Sequence, residues 1–271
     1  ASGASIILRR GAPKDPRLGS PAAIESGIPR ADALGMTAIL AALLLLEACS
    51  FASPPRPPSL QEERASPASG YRYLLYRPAG YEDSTGTWPL ILFLHGGGER
   101  GKNLASVKRE ALPRWLEDWK RFPFVVVSPQ ESRRGEFRAE RLDILLEEVL
   151  AENRIDPGRV YVTGLSSGAF AALELAIFRP ERFAAIAVVS NPRIPEDLCA
   201  LSKIPVWIFH GARDERVPVR MAHRLRAALE ACGGRVELTA YDGDGHDAWT
   251  RAYRGPDLYD WLQEQGRKIG D

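Results

Sequence analysis

Three side chains, far apart in the chain, have the types that nucleophilic catalysis needs. Ser166 sits in Gly164-Leu165-Ser166-Ser167-Gly168, where a strand pattern gives way to a helical one. Glycines at that spacing permit a sharp turn that lifts a serine hydroxyl above a sheet. The hydroxyl is a weak nucleophile until a base takes its proton. Of the four histidines, His95 opens a glycine run, His210 ends a strand pattern and His223 falls inside a helical one, where it is expected on the surface. His246, in Gly243-Asp-Gly-His-Asp-Ala-Trp249 after the last strand pattern, is the candidate base. An acid must orient the imidazole and stabilise its cation. Asp214, in the loop after the strand pattern Val206 to Phe209, is the candidate. Asp242 and Asp244 are rivals, but they stand so near His246 in sequence that shaping its turn is the simpler role.

A carbonyl under attack develops negative charge, so hydrogen-bond donors must already point at it. The loop His95-Gly-Gly-Gly98-Glu-Arg-Gly101 lets backbone N–H groups approach a ligand without side-chain obstruction. The expected donors are the N–H of Ser167 and that of Gly97, with Gly96 or Gly98 as alternatives to Gly97. A phosphate-binding loop is excluded because no Gly-Lys-Ser/Thr closes the run. Glu99 and Arg100 read either as an ion pair that shapes the loop or as solvated charges. Trp249, beside His246, reads either as a wall of the substrate cleft or as a packing residue. Asp242 to Asp247 lacks the spacing of a calcium loop, so no metal site is expected.

Strands alternating with helices must position these loops. Strand patterns are expected at Tyr71 to Tyr76, as an early edge strand, and at Pro89 to Leu94, Phe124 to Ser128, Val160 to Thr163, Phe183 to Val189, Val206 to Phe209 and Val236 to Tyr241. Helical patterns fall around Asn103 to Lys120, over Leu142 to Leu150, Ala169 to Phe178, Met221 to Cys232 and Asp257 to Gln265. Such alternation implies a mostly parallel sheet covered on both faces, with its sites at the carboxyl ends of the strands.

The first seventy or so residues differ. Residues 1–35 read as disordered or as an upstream extension. Met36 to Leu46 is too short an apolar run to span a bilayer and fits the core of a secretory signal. It ends in Leu46-Glu47-Ala48-Cys49, which resembles a bacterial lipoprotein cleavage box with Cys49 as the lipidated residue. Residues 36–49 are therefore expected to be a signal segment, 50–70 a Pro-rich tether and 71–271 the catalytic domain. An exported protein is expected, anchored at the cell envelope through Cys49, periplasmic or secreted. A formal net charge of +1 argues against nucleic acid as a partner. Cys199 and Cys232 are candidates for a disulfide, although Cys232 also fits a plain core position.

Taken together, these residues resemble the α/β-hydrolase superfamily, in the group of polyhydroxybutyrate depolymerases, feruloyl esterases and prolyl oligopeptidase-like peptidases. The matching stretches include His95 to Gly101, Ser128-Pro-Gln130, Arg159 to Ser166, His210 to Asp214 and Gly245 to Trp249. The order Ser166, Asp214, His246 is the order of that fold. The resemblance implies a Ser/His/Asp triad, no cofactor and hydrolysis of carboxylic esters, such as acetyl or feruloyl esters of polysaccharide. A serine peptidase and a non-catalytic surface lipoprotein are the alternatives. Ser167-Gly168-Ala169 and Ser190-Asn-Pro-Arg-Ile-Pro195 depart from what many relatives carry at these places. The segment between Val189 and Val206 is too short for a large helical lid, so an open cleft is expected.

Overall fold

In the computed structural model, residues 60–119 and 121–267 are described. The expected signal segment and Cys49 lie outside them.

Runs of Leu, Val and Ile build an eight-stranded sheet in the order β1-β2-β4-β3-β5-β6-β7-β8. The strands are β1 (Gln61–Ser66), β2 (Tyr71–Tyr76), β3 (Trp88–Leu94), β4 (Val125–Gln130), β5 (Ile155–Leu165), β6 (Ala185–Val189), β7 (Val206–Gly211) and β8 (Val236–Tyr241). β1 pairs antiparallel with β2, and β2 antiparallel with β4; β4, β3, β5, β6, β7 and β8 then run parallel to one another.

The parallel strands are buried on both faces, which is why they read as unbroken apolar runs rather than alternating ones. Leu90, Leu92 and Leu94 face one core with Val162, Ile186 and Ile208. Helices α2 (Ala139–Glu152), α3 (Ser167–Phe178) and α4 (Arg220–Ala231) cover that core. Ile91 and Phe93 face the other with Tyr161, Trp207 and Phe209. It is closed by α1 (Ala111–Leu116), α5 (Trp249–Arg254) and α6 (Asp257–Glu264). No helix among the described residues is long and apolar enough to cross a membrane.

Four expectations need correction. Among the described residues the first strand is β1, inside the stretch expected to be tether, so Tyr71–Tyr76 is not the edge. β1 reads Gln-Glu-Glu-Arg-Ala-Ser with its middle four residues exposed, and charge on an edge strand disfavours pairing with another chain. Its buried ends are polar and hydrogen-bonded: Gln61 Nε2 donates to the Pro113 carbonyl, and the Ser66 hydroxyl donates to Glu148. Second, the helix expected over Asn103 to Lys120 divides into a 3-10 turn, Leu104–Arg109, and α1, because Glu110 between them is extended at φ −131° and ψ 158° and Ala111, which opens α1, takes φ 52°. Third, Asp156-Pro-Gly does not precede β5 but lies within it, as an irregularity against β3. Fourth, α5 starts at Trp249, in what was read as loop alone.

Between β6 and β7 there is only a 3-10 turn, Leu198–Leu201, and no lid helix. A Cys199–Cys232 disulfide ties that turn to the end of α4, with Cα atoms 4.9 Å apart. The cross-link separates its cysteines by 33 residues and restricts the unfolded chain. Replacing both cysteines by serine should lower unfolding free energy by about 3 kcal/mol. A urea midpoint equal to that of the oxidised wild type would contradict this.

Candidate active site

Every candidate residue stands at the carboxyl end of a parallel strand. Ser166 joins β5 to α3 with φ 49° and ψ −120°, a conformation that costs an L-residue energy. Local bonds hold it there. Its N–H donates to the Val189 carbonyl at 2.9 Å, and its own carbonyl accepts from the N–H of Ala169 and Phe170. The flanking glycines are a packing requirement. A Cβ on Gly164 would collide with the Gly168 carbonyl, and one on Gly168 with the carbonyls of Leu94 and His95.

The histidine expected as base lies beside that hydroxyl. His246 Nε2 is 3.1 Å from Ser166 Oγ, and its Nδ1 is 2.7 Å from Asp214 Oδ2. A carboxylate can only accept, so Nδ1 carries the proton and Nε2 offers its lone pair to the serine hydroxyl. Asp214 is buried, and its Oδ1 accepts the N–H groups of Arg216 and Val217 at 2.9 and 2.8 Å. Asp244 is drawn away, with its carbonyl accepting from the Arg213 N–H and its carboxylate 3.8 Å from Arg251.

Two buried histidines support the site without facing its cleft. His210 Nε2 donates to the Val217 carbonyl at 2.7 Å, closing the loop that presents Asp214, and lies 3.4 Å from Asp214 Oδ2. Burial lowers its pKa. His95 donates from Nδ1 to the Gly96 carbonyl, while its Nε2 accepts the Glu131 N–H at 3.0 Å. Burial brings its pKa down to about 4, so it is neutral near pH 7. His223 is exposed on α4, as expected.

A cleft of 600 Å³ lies over Ser166 and is bordered by Gly96 to Arg100, Ser167, His246 and Trp249. Ser167 opens α3. Gly96 is hemmed in by Leu165, and a Cβ there would also lie 3.5 Å from the Glu99 carboxylate. Gly97 and Gly98 have open space where a Cβ would stand. Trp249 meets the His246 ring edge-on at 5.1 Å and donates its indole N–H to Glu110 at 3.1 Å.

Glu99 and Arg100 do not form the ion pair considered from sequence. Glu99 turns inward, 4.0 Å from His95 Nδ1, and burial raises its pKa; Arg100 faces the cleft. Two contributors escaped the sequence. Ser190, buried at the end of β6 with φ 51°, donates its hydroxyl to the His246 carbonyl at 2.9 Å. Glu110 anchors Trp249 across 139 positions of sequence. Neither sits in a motif, so only the tertiary contact identifies them.

The elbow has a thermodynamic consequence. Gly168→Ala places a methyl group against backbone carbonyls that cannot swing aside, and should cost about 2 kcal/mol or more. Gly243→Ala, where a Cβ meets nothing within 4 Å, should leave stability nearly unchanged. Chemical denaturation of both variants checks the contrast; equal midpoints would refute it.

Known proteins share this architecture and sequence. Residues 111–255 match the family described as phospholipase/carboxylesterase. A protein of Nocardia uniformis subsp. tsuyamanensis that is an esterase by name, NocK, is 30% identical over 145 residues, 48% of this chain and 41% of its own. Poly(3-hydroxyalkanoate) depolymerase C of Paucimonas lemoignei is 39% identical over 106 residues, 39% of this chain and 25% of its own. The chain thus spans less than half the length of these two relatives. A thermostable esterase of known structure superposes with a TM-score of 0.63 and 27% identity, over 77% of this chain and 63% of that one. The expected resemblance to depolymerases and esterases is met in these matches. With its eight-stranded, mostly parallel sheet, the chain belongs to the phospholipase/carboxylesterase family and has the α/β-hydrolase fold.

Proposed function

We propose that this chain hydrolyses carboxylic esters through an acyl-enzyme on Ser166. The observation that carries the reading is the unbroken relay of Ser166, His246 and Asp214, with contacts of 3.1 and 2.7 Å. Ser166 Oγ attacks the ester carbonyl carbon while His246 Nε2 takes its proton. Asp214 holds the imidazole in the required tautomer and stabilises its cation. The N–H groups of Ser167 and Gly97 receive the carbonyl oxygen as it becomes an oxyanion. The tetrahedral intermediate collapses, His246 returns the proton to the leaving alcohol, and the acyl group stays on Ser166. Water, deprotonated by His246, then attacks the acyl-enzyme and releases the acid. Nothing in this sequence requires a metal or cofactor.

The cleft carries no helical cover between β6 and β7, which suits bulky alcohols such as polysaccharide carrying acetyl or feruloyl groups. Trp249 is the aromatic wall available to such a substrate. A fluorophosphonate probe should label the wild type and not Ser166→Ala. Asp214→Asn should lower kcat for p-nitrophenyl acetate by about 10³-fold or more. Failure to label the wild type would overturn the enzyme reading and leave a non-catalytic surface protein. Peptide amides cleaved in preference to p-nitrophenyl acetate and methyl ferulate would make it a peptidase.

We also propose that the protein is exported and held at a membrane surface by lipid on Cys49. The Cys199–Cys232 disulfide supports an oxidising compartment. In detergent phase separation of the full chain, wild type should enter the detergent phase and Cys49→Ala the aqueous phase. Equal partitioning would refute the anchor.

A further inference from the structure

Beside the nucleophile cleft lies a second cavity of 530 Å³, between α3 and the segment that leads from β4 into α2. Ser167 and Arg100 line both spaces, so Arg100 stands where a substrate on Ser166 would pass from one into the other. Five arginines and four glutamates line the second cavity.

Four of the six carboxylates that border the two spaces are engaged elsewhere. Glu131 accepts from the Tyr71 hydroxyl at 3.1 Å and from the Ser132 N–H at 2.6 Å. Glu136 faces Arg193 at 3.5 Å, Glu110 holds the Trp249 indole, and Glu99 is turned inward. Glu140 and Glu174, the remaining two, are exposed on α2 and α3. Two other arginines of the cavity have partners, since Arg193 lies 4.0 Å from the centre of the Phe170 ring and Arg141 donates to the Ser69 carbonyl at 2.7 Å, while Arg134 and Arg138 are exposed. Arg100 is half-buried, yet among the described residues it has no hydrogen bond or ion pair of its side chain. A guanidinium presents a planar fork of donors that matches a carboxylate in two parallel bonds. Removed in part from water and left without a counter-ion, it offers that fork to whatever enters the cleft.

We propose that Arg100 is a specificity-determining residue that receives a carboxylate carried by the ester substrate. This rests on the ester-hydrolase reading of Ser166 and adds the charge of the substrate to it. The carboxylate belongs either to the acyl part or to the alcohol part of the ester, and two pairs of probes separate these. Mono-p-nitrophenyl adipate against p-nitrophenyl hexanoate tests the acyl side. The acetyl ester of p-hydroxybenzoate against phenyl acetate tests the alcohol side.

In one pair, wild-type kcat/KM for the anionic ester should exceed that of its neutral partner by about tenfold. Arg100→Gln should remove the excess and Arg100→Lys should keep part of it. Because each value is a ratio within one variant, a general disturbance of the glycine loop cancels. Added salt should shrink the wild-type ratio. Hydrolysis of the neutral esters with no anionic preference, or a preference that survives in Arg100→Gln, overturns the proposal and leaves the esterase reading intact. No hydrolysis of any of the four esters removes that reading and the proposal with it.

Discussion

The close approach of α3 to the end of β3 governs the rest of the site. Gly168 rests against the carbonyls of Leu94 and His95, and Gly164 rests against Gly168. Only backbones without side chains can come that near. The approach forces a sharp turn at Ser166, which is why a non-glycine residue holds φ 49° there. It also sets Ser167, the first residue of α3, beside the glycine loop that follows β3. Ser166 and Ser167 are thus both positioned by one backbone contact. The strain is offset by the Ser166 N–H bonded to Val189 on the neighbouring strand.

A second requirement is to bury one carboxyl group with both of its oxygens bonded. Asp214 lies under the loop between β7 and α4, and isolated burial of a carboxylate is expensive. Two backbone N–H groups on Oδ1 and the His246 Nδ1–H on Oδ2 supply the compensating bonds. His210 contributes differently. Desolvation disfavours its charged form, so it fixes the loop through the Val217 carbonyl and competes less with His246 for Asp214. Acid and base are therefore left to pair with each other.

Much of this was legible in the sequence. The parallel strands were found because burial on both faces leaves apolar runs, and β8 is bounded as its pattern suggests, Val236–Tyr241. The relay residues were found because each follows such a run and because the elbow has a glycine signature. What escaped obeys other rules. β1 is a charged edge strand and resembles linker in composition. Ala111 breaks a helical pattern with a positive φ that alanine does not advertise. Ser190 and Glu110 act through contacts 56 and 139 positions away, on His246 and Trp249, and no local pattern encodes such distances.

The Glu99–Arg100 pair shows how far adjacency in sequence misleads and what its failure creates. Glu99 closes the 3-10 turn Gly97–Glu99, while Arg100 is already extended at φ −60° and ψ 141°. That change of backbone sends the two side chains in different directions. The carboxylate turns inward, 4.0 Å from Nδ1 of a histidine that burial keeps neutral. The guanidinium, deprived of its neighbour, is left at the mouth of the second cavity. The inward acid and the unpaired cation beside the cleft thus share one origin, the change of backbone between Glu99 and Arg100.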